Sequence, residues 1–245
     1  MTSTSVTDKI ALITGANKGI GLEIARQLGT HSITVLIGAR DENRGQEAAQ
    51  KLQAENINAH AVQLDVTNQE SIDAAAKYIE NQFGKLDILV NNAGVAVDNA
   101  PPSQLDMEVL RRTYETNFFG VFAVTKAMLP LLRKSDAGRI VNISSGLGSL
   151  TQNSDPNYEF ASAKLLAYNS SKTAVNAMTV QFAHELKDTP IKINSADPGY
   201  VATDINDNKG TRTVQQGATA AVRLATLSAD GPSGGFFDEN GVVPW

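Results

Sequence analysis

The chain alternates between short continuous apolar runs and longer segments whose apolar residues recur at helical spacing. Continuous runs of Val, Ile and Leu are typical of strands that are buried on both faces of a parallel sheet. We predict strands at residues 10–13, 33–37, 58–64, 86–90, 139–145, 191–196 and 234–237. Helices are predicted between them, at residues 42–54, 68–83, 106–133, 168–186 and 213–227. This alternation predicts an α/β fold with a doubly wound parallel sheet of about seven strands and helices on both faces.

A glycine-rich turn follows the first predicted strand. Gly15, Gly19 and Gly21 stand at Gly-x-x-x-Gly-x-Gly spacing and lead into an apolar helical stripe through Ile24 and Leu28. A strand, a glycine turn and a helix together present backbone N–H groups and a positive helix end to a phosphate. A tight turn between strand and helix that binds no ligand has the same pattern, so the turn needs support from the rest of the chain.

The composition and the net charge argue against several classes of function. The 245 residues are 42% hydrophobic, which is enough for one large core. A net charge of −5 without basic clusters argues against binding to nucleic acid or to an anionic membrane surface. No cysteine is present, which excludes disulfides and thiolate chemistry. His31, His60 and His184 lie far apart and outside any metal-binding motif, so we expect no metal site.

The chain shows no targeting or membrane-spanning segment. Residues 1–8 form a polar N-terminal tail without the apolar core of a signal peptide. No apolar run approaches the ~20 residues of a membrane-spanning helix. We also find no internal repeat and no linker. The expectation is a cytoplasmic protein with one domain at residues 1–245.

Three segments, in the matching order, resemble signatures of the short-chain dehydrogenase/reductase family. They are TGANKGIG at residues 14–21, NNAG at residues 91–94 and YNSSK at residues 168–172. The resemblance implies a Rossmann fold that binds NAD or NADP and transfers a hydride. An insertion of about ten residues before the YNSSK segment, and the ending at 234–245, resemble the carbonyl-reductase-like branch of the family.

The resemblance also implies which residues bind the cofactor. It assigns Asp65 and Val66 to the adenine, the 91–94 segment to the sheet and the cofactor cleft, and Thr203 to the nicotinamide carboxamide. The full expected set is Gly15, Asn17, Lys18, Gly19, Ile20, Gly21, Arg40, Asp65, Val66, Asn92, Ala93, Gly94, Tyr168, Lys172, Pro198, Gly199, Val201 and Thr203.

The end of the second predicted strand bears on the choice between NAD and NADP. An acidic residue about twenty positions after the glycine turn usually holds the ribose 2′-hydroxyl of NAD, and Asp41 stands near that spacing. However, Asp41 directly precedes a predicted helix, where aspartate is a favoured N-cap. Arg40 and Lys18 supply two cations that suit the 2′-phosphate of NADP. We therefore predict NADP(H) as the cofactor.

Two tyrosines compete for the catalytic position after Ser145, the serine that matches the family's catalytic serine. Tyr158 lies at the more common distance from this serine, but the residue four positions later is Ser162. Tyr168 is followed four positions later by Lys172, which matches the family's Tyr-x-x-x-Lys pattern. Residues four apart lie on the same face of a helix. We therefore select Tyr168.

The resemblance assigns a role to each catalytic residue. Tyr168 is the general acid and base, and Ser145 binds the substrate oxygen. Lys172 binds the ribose and is expected to lower the pKa of Tyr168 through its positive charge. Asn117 is expected to anchor a water molecule that relays protons to Lys172.

These residues predict an NADPH-dependent reductase that converts an aldehyde, ketone or quinone to an alcohol. Two alternatives stay open: an alcohol or steroid dehydrogenase working oxidatively, and a non-catalytic NADP-binding sensor. We expect a small-molecule partner, and the insertion before Tyr168 favours a monomer over a homodimer. Residues 95–103, the segment before Tyr168 and a substrate lid at residues 200–213 are expected to set specificity.

Overall fold

The computed structural model describes residues 9–245, so the predicted polar tail at residues 1–8 lies outside the described part of the chain. The strands are β1 (Ile10–Thr14), β2 (Thr34–Ala39), β3 (Ala59–Gln63), β4 (Ile88–Asn91), β5 (Arg139–Ile143), β6 (Lys192–Ala196) and β7 (Phe236–Phe237). The α-helices are α1 (Gly19–Thr30), α2 (Glu42–Ala54), α3 (Gln69–Phe83), α4 (Met107–Tyr114), α5 (Val121–Leu132), α6 (Leu150–Ser154), α7 (Leu166–Glu185) and α8 (Val214–Ala225).

All seven strands form one parallel sheet, as predicted, and their order is β3-β2-β1-β4-β5-β6-β7. The order reverses beside β1, which pairs with β2 on one side and with β4 on the other. At such a reversal the connections leave on opposite faces of the sheet, and a crevice opens at the carboxyl ends of the two central strands. The topology therefore places a binding crevice between the ends of β1 and β4.

The sheet is buried on both faces, which explains why its strands read as continuous apolar runs. Ile13 and Ile37 belong to the core on one face, where α1, α2 and α8 pack. Leu12 and Leu36, one position earlier in each strand, belong to the core on the other face. Side chains alternate between the faces of a strand, so apolar residues are needed at every position.

The predicted helix at residues 106–133 is interrupted. A π-helical turn at Glu115–Gly120 separates α4 from α5. It contains Asn117, whose side chain is fully buried and bonded to the loop after β4. π-Turns inside helices occur frequently at functional sites. The structure also contains the short helix α6, which the sequence pattern did not predict, in the segment between Ser145 and Tyr168.

A chain of hydrogen-bonded, buried polar side chains runs across the neighbouring strands β4, β5 and β6. Asn91 Nδ2 donates to Thr125 Oγ1 on α5 at 2.9 Å and to Asn142 Oδ1 on β5 at 2.8 Å. Asn142 Nδ2 in turn donates to Thr179 Oγ1 on α7 at 2.9 Å, and Thr179 Oγ1 lies 2.9 Å from Ser195 Oγ on β6. This network fixes α5 and α7 against three neighbouring strands.

Replacing the central residue of this network should destabilise the fold. In Asn142→Ala, Asn91 and Thr179 would each lose a partner inside the core, and an unsatisfied buried polar group costs about 1–3 kcal/mol. We expect the free energy of unfolding, measured by denaturant titration, to fall by about 2–4 kcal/mol. The exposed Asn157 provides the control, because Asn157→Ala should change the same quantity by less than about 0.5 kcal/mol. Equal effects of the two substitutions would contradict this account.

Candidate active site

The glycine turn and the segment after β4 are bonded to each other. Thr14 Oγ1 accepts hydrogen bonds from the backbone N–H groups of Asn92 and Ala93, both at 2.9 Å. Asn92 Nδ2 donates to the carbonyl oxygens of Thr14 at 2.9 Å and Gly15 at 3.1 Å. A Cβ atom at Gly21 would lie 2.4 Å from Asn92 Nδ2. The two sequence signatures therefore form one structural unit at the crevice.

The backbone of the turn requires glycine. Gly15 and Gly19 have φ angles of +62° and +58°, in the left-handed region that side chains disfavour. A Cβ atom at Gly15 would lie 3.0 Å from Ala93 Cα. The N-cap residue of α1, Lys18, provides no side-chain hydrogen bond to the first turn of the helix. The backbone N–H groups in the first turn of α1 and the positive end of that helix suit a pyrophosphate. The structure therefore fits the dinucleotide that the sequence predicts.

The remaining residues of the predicted glycine-turn set lie where the sequence placed them. Asn17 is in the turn itself, and Ile20 is in the first turn of α1. Lys18, however, extends to an unexpected partner. Its Nζ lies 2.5 Å from Asp204 Oδ2, and both side chains are exposed. The ion pair links the glycine turn to the predicted lid.

Asp41, just after the end of β2, caps a helix in the structure, which argues against a role as a ribose ligand. Asp41 is the N-cap of α2, and its Oδ1 accepts a hydrogen bond from the backbone N–H of Arg44 at 3.0 Å, as predicted. Arg40 is exposed directly after the strand, and Ala39 before it is buried. The one long polar side chain at this strand end that is not engaged as a helix cap is therefore a cation.

The two predicted adenine contacts lie after β3. Asp65 Oδ1 accepts from the backbone N–H of Thr67 at 2.9 Å and from its hydroxyl at 2.7 Å. Val66 is buried, and a Cβ atom at Gly120 would lie 2.8 Å from its carbonyl oxygen. Both residues are thus held in fixed positions at the carboxyl edge of the sheet.

The segment after β6 closes the crevice on its other side. It includes Pro198 and Gly199, and Gly199 has a φ of +72°. Val201 is buried and pairs with Arg212 through an isolated bridge. Thr203 Cγ2 would be 3.6 Å from a Cβ atom at Gly19, so this segment lies against the glycine turn. The two ends of the predicted lid are therefore bonded to each other, and the lid lies against the glycine turn.

Ser145 and its neighbour Ser144 face opposite ways after β5, as strand alternation predicts. Ser144 is buried, and its hydroxyl donates to the carbonyl oxygen of Lys172 at 3.4 Å. Ser145 Oγ accepts from the backbone N–H of Leu147 at 3.2 Å and lies close enough to Tyr168, the first residue of the Tyr-x-x-x-Lys pattern, to lower the pKa of its phenol. β5 thus presents one hydroxyl to the crevice and uses the other to hold α7.

Lys172 is buried directly behind Tyr168. Its Nζ donates to the carbonyl oxygen of Ile143 at 2.7 Å and lies 5.7 Å from the centroid of the Tyr168 ring. Burial lowers the pKa of Lys172 to about 8. A Cβ atom at Gly94 would lie 3.6 Å from Lys172 Nζ and 3.4 Å from Asn117 Oδ1, so glycine lets the backbone approach both side chains.

Burial raises the pKa of Tyr168 to about 12, and the negative charge of Asp197 adds to this effect, while the nearby Ser145 hydroxyl opposes it. The expected decrease caused by Lys172 is therefore wrong for this structure, because burial disfavours the phenolate more strongly. Sequence reasoning missed Asp197, which lies immediately after β6. Its position at a strand end was the available signal. The phenol of Tyr168 is protonated at neutral pH.

Both polar atoms of the Asn117 side-chain amide are hydrogen-bonded to other groups of the protein. Its Oδ1 accepts from the backbone N–H of Val95 at 2.8 Å, and its Nδ2 donates to the carbonyl of Val95 at 2.8 Å and to Ser171 Oγ at 3.0 Å. The π-helical turn thus joins the loop after β4 to α7. Asn117 lies beside the site as predicted, but its side chain holds protein groups.

Asp98 caps the helix that carries the tyrosine and the lysine. Its two carboxylate oxygens accept from the backbone N–H groups of Ala167 at 2.7 Å and Tyr168 at 3.1 Å. The residue that precedes α7, Leu165, offers no side-chain cap. Sequence reasoning missed Asp98, because a cap is normally sought next to the helix that it stabilises, and this one comes from a loop about seventy residues earlier.

Two further features of residues 9–245 concern metals and membranes. Within this range no group of three or more His, Cys, Asp or Glu side chains is arranged to hold a metal ion. None of the helices in the described part of the chain combines the length and the apolar character needed to cross a membrane.

Comparison with known proteins gives a consistent result. The family model described as short chain dehydrogenase matches residues 9–213. Short-chain dehydrogenase/reductase 1 of Saponaria officinalis is 38% identical over 292 residues, covering 97% of this chain and 96% of that protein. Carbonyl reductase [NADPH] 1 of Mus musculus is 36% identical over 276 residues, covering 96% and 98%. The crystal structure of NADPH-bound carbonyl reductase from chicken fatty liver superimposes with a TM-score of 0.85 at 30% identity, covering 98% of this chain and all of that one.

The cap provided by Asp98 can be tested by hydrogen exchange. In Asp98→Ala the amides of Ala167 and Tyr168 lose their acceptors, and loss of an N-cap costs about 0.5–2 kcal/mol. We expect the exchange of these two amides to accelerate about 2- to 30-fold. Asp106→Ala is the matched control, because Asp106 caps α4 by accepting from the backbone N–H of Glu108 at 2.8 Å. Unchanged exchange at both α7 amides in Asp98→Ala would contradict the assignment.

Proposed function

This chain belongs to the short-chain dehydrogenase family, and on that premise we propose that it is an NADPH-dependent oxidoreductase that reduces the carbonyl group of an aldehyde, ketone or quinone to an alcohol. One observation carries the proposal. Tyr168 is close to Ser145 and to the buried Lys172, and Lys172 lies at the carboxyl end of β5 against the Gly94 segment that packs on the glycine turn. A proton donor and a dinucleotide site therefore meet at one crevice.

The cofactor in this proposal is NADP(H). Its chemical contribution when bound is the hydride. The turn at Gly15 and Gly19 would hold the pyrophosphate, and Arg40 would hold the 2′-phosphate, for which a guanidinium is well suited. The engagement of Asp41 as a helix cap supports NADP over NAD. The mouse and chicken carbonyl reductases to which this chain is similar are named with NADPH as well.

The protein itself supplies the proton. The Ser145 hydroxyl would bind the carbonyl oxygen of the substrate and orient it toward Tyr168. Tyr168 would then donate its phenolic proton to that oxygen as negative charge develops there. Because burial raises the pKa of Tyr168 to about 12, the side chain holds this proton at neutral pH. That protonation state is the one from which a general acid acts in the reductive direction.

Lys172 would stabilise the phenolate that remains. Its pKa of about 8 leaves most of the lysine positively charged at neutral pH, and its Nζ lies near the Tyr168 ring. One of its three N–H donors is used by the carbonyl of Ile143, and the others are directed toward the cofactor ribose in this proposal. Asn117 would position the loop that borders this lysine, and the proposed proton relay would pass beside it.

Removal of the Tyr168 hydroxyl tests the catalytic assignment. In Tyr168→Phe, the kcat for ketone reduction should fall by a factor of about 10²–10⁴, which is the usual contribution of a positioned acid. The Kd for NADPH, measured by fluorescence titration, should stay within about threefold of wild type. The exposed Tyr78 on α3 is the control, because Tyr78→Phe removes the hydroxyl of a tyrosine that is not part of the proposed site. Substantial residual turnover in Tyr168→Phe would mean that another group protonates the substrate.

A charge reversal tests the phosphate site. Arg40→Asp should weaken NADPH binding about 10- to 100-fold, since a hydrogen bond to a charged group contributes about 1.5–3 kcal/mol. Binding of NADH, which lacks the 2′-phosphate, should change much less. Arg44→Asp is the matched control, because Arg44 is an exposed arginine in the first turn of α2. Paired calorimetric titrations give both constants, and equal weakening of the two cofactors by Arg40→Asp would sink the assignment.

A further inference from the structure

The inserted segment before α7 folds back onto the residue that follows Ser145. A Cβ atom at Gly146 would lie 2.4 Å from Tyr158 Oη and 3.0 Å from both Asp197 Oδ2 and Gln152 Oε1. The oxygen atoms of three side chains thus converge over the backbone of one glycine. Gly146 directly follows Ser145, and the charge of Asp197 acts on Tyr168 as well, so this convergence lies near the proposed catalytic groups.

Tyr158 is a proton-bearing donor at this point. Burial raises its pKa to about 12, and the negative charges of Asp197 and Glu159 contribute. The side chain is still partly exposed. Its hydroxyl is therefore available to donate to a bound molecule.

Asp197 is an acceptor held at the same point. Its Oδ1 accepts from the backbone N–H of Gly199 at 2.9 Å, and the nearby backbone N–H of Gly146 favours the charged form and so opposes the rise that burial causes in the pKa of Asp197. The bond from Gly199 holds the carboxylate, and Oδ2 lies over Gly146. A donor beside a held acceptor matches a hydroxyl group, which accepts one hydrogen bond and donates another.

A row of three aromatic side chains begins at Tyr158, the donor of this polar pair. Tyr158 and Phe160 are in edge-to-face contact with centroids 5.7 Å apart, and the Phe160 and Tyr200 centroids are 5.6 Å apart. The inserted segment is thereby joined to the segment after β6. Aromatic side chains provide a planar apolar surface, which favours a ring of the substrate.

We propose that Tyr158 and Asp197 bind a hydroxyl group next to the reacting carbonyl, so that the protein prefers aromatic hydroxy ketones over the corresponding plain ketones. This inference rests on the proposed function. A second carbonyl in place of the hydroxyl would accept from Tyr158 but face the Asp197 carboxylate without a proton to share. A plain ketone would leave both groups without a partner, which a site built for hydrogen bonding disfavours.

The test compares 2-hydroxyacetophenone with acetophenone, each reduced with NADPH. The readout is the ratio of the two kcat/KM values. We expect wild type to favour the hydroxy ketone, and Tyr158→Phe to lower that ratio about 3- to 10-fold, the worth of one hydrogen bond. Tyr78→Phe is the matched control and should keep the wild-type ratio.

A second variant covers the case in which Tyr158→Phe does not fold. Gly146→Ala would place a methyl group among the converging oxygen atoms and should lower the same ratio at least as much. Because the readout is a ratio, a general loss of rate does not change it.

The outcomes distinguish this inference from the proposed function. An unchanged ratio in both variants, or a wild type that reduces both ketones without preference, would overturn the inference and leave the proposed function standing. A wild type that binds NADPH but reduces neither these ketones nor an aldehyde such as benzaldehyde would overturn the proposed function and this inference with it.

Discussion

The hydrogen bonds between Thr14 and the backbone after β4 are the constraint on which the site depends. One hydroxyl accepts from two successive N–H groups, and the Asn92 amide returns two bonds to the glycine turn. They join the carboxyl ends of β1 and β4 at the point where the strand order reverses. The crevice is therefore held at a fixed width by bonds that leave no room for a side chain at Gly21.

α7 is the second rigid part of the site, and it is held from several directions. Asp98 caps its first turn, Asn117 reaches it through Ser171, and Ser144 bonds to its backbone beside Lys172. Packing this helix against the sheet also buries its lysine and partly buries its tyrosine. Burial disfavours the charged form of each, so the pKa of the tyrosine rises and that of the lysine falls. The same packing that positions the pair thus decides its protonation.

Catalysis and selectivity share Asp197 in the proposed reading. Its charge contributes to the raised pKa of Tyr168 on one side and to that of Tyr158 on the other. The two tyrosines differ in what supports them: Tyr168 has Lys172 one helical turn away, whereas Tyr158 lies in the inserted segment beside an aromatic ring. Of these two tyrosines, Tyr168 has a cation beside it and, within residues 9–245, Tyr158 does not. In the proposed reading this difference makes Tyr168 the proton donor and Tyr158 a residue that binds substrate.

The sequence by itself determined the features that depend on neighbours along the chain. Strand periodicity predicted the parallel sheet, the position of Asp41 before a helix predicted its role as a cap, and helical spacing predicted that Lys172 would lie behind Tyr168. Tertiary structure decided what depends on distant contacts and on burial. The cap from Asp98, the pairing of Lys18 with Asp204 and the upward shift of the Tyr168 pKa arise where separate segments meet and exclude water, which no local pattern specifies.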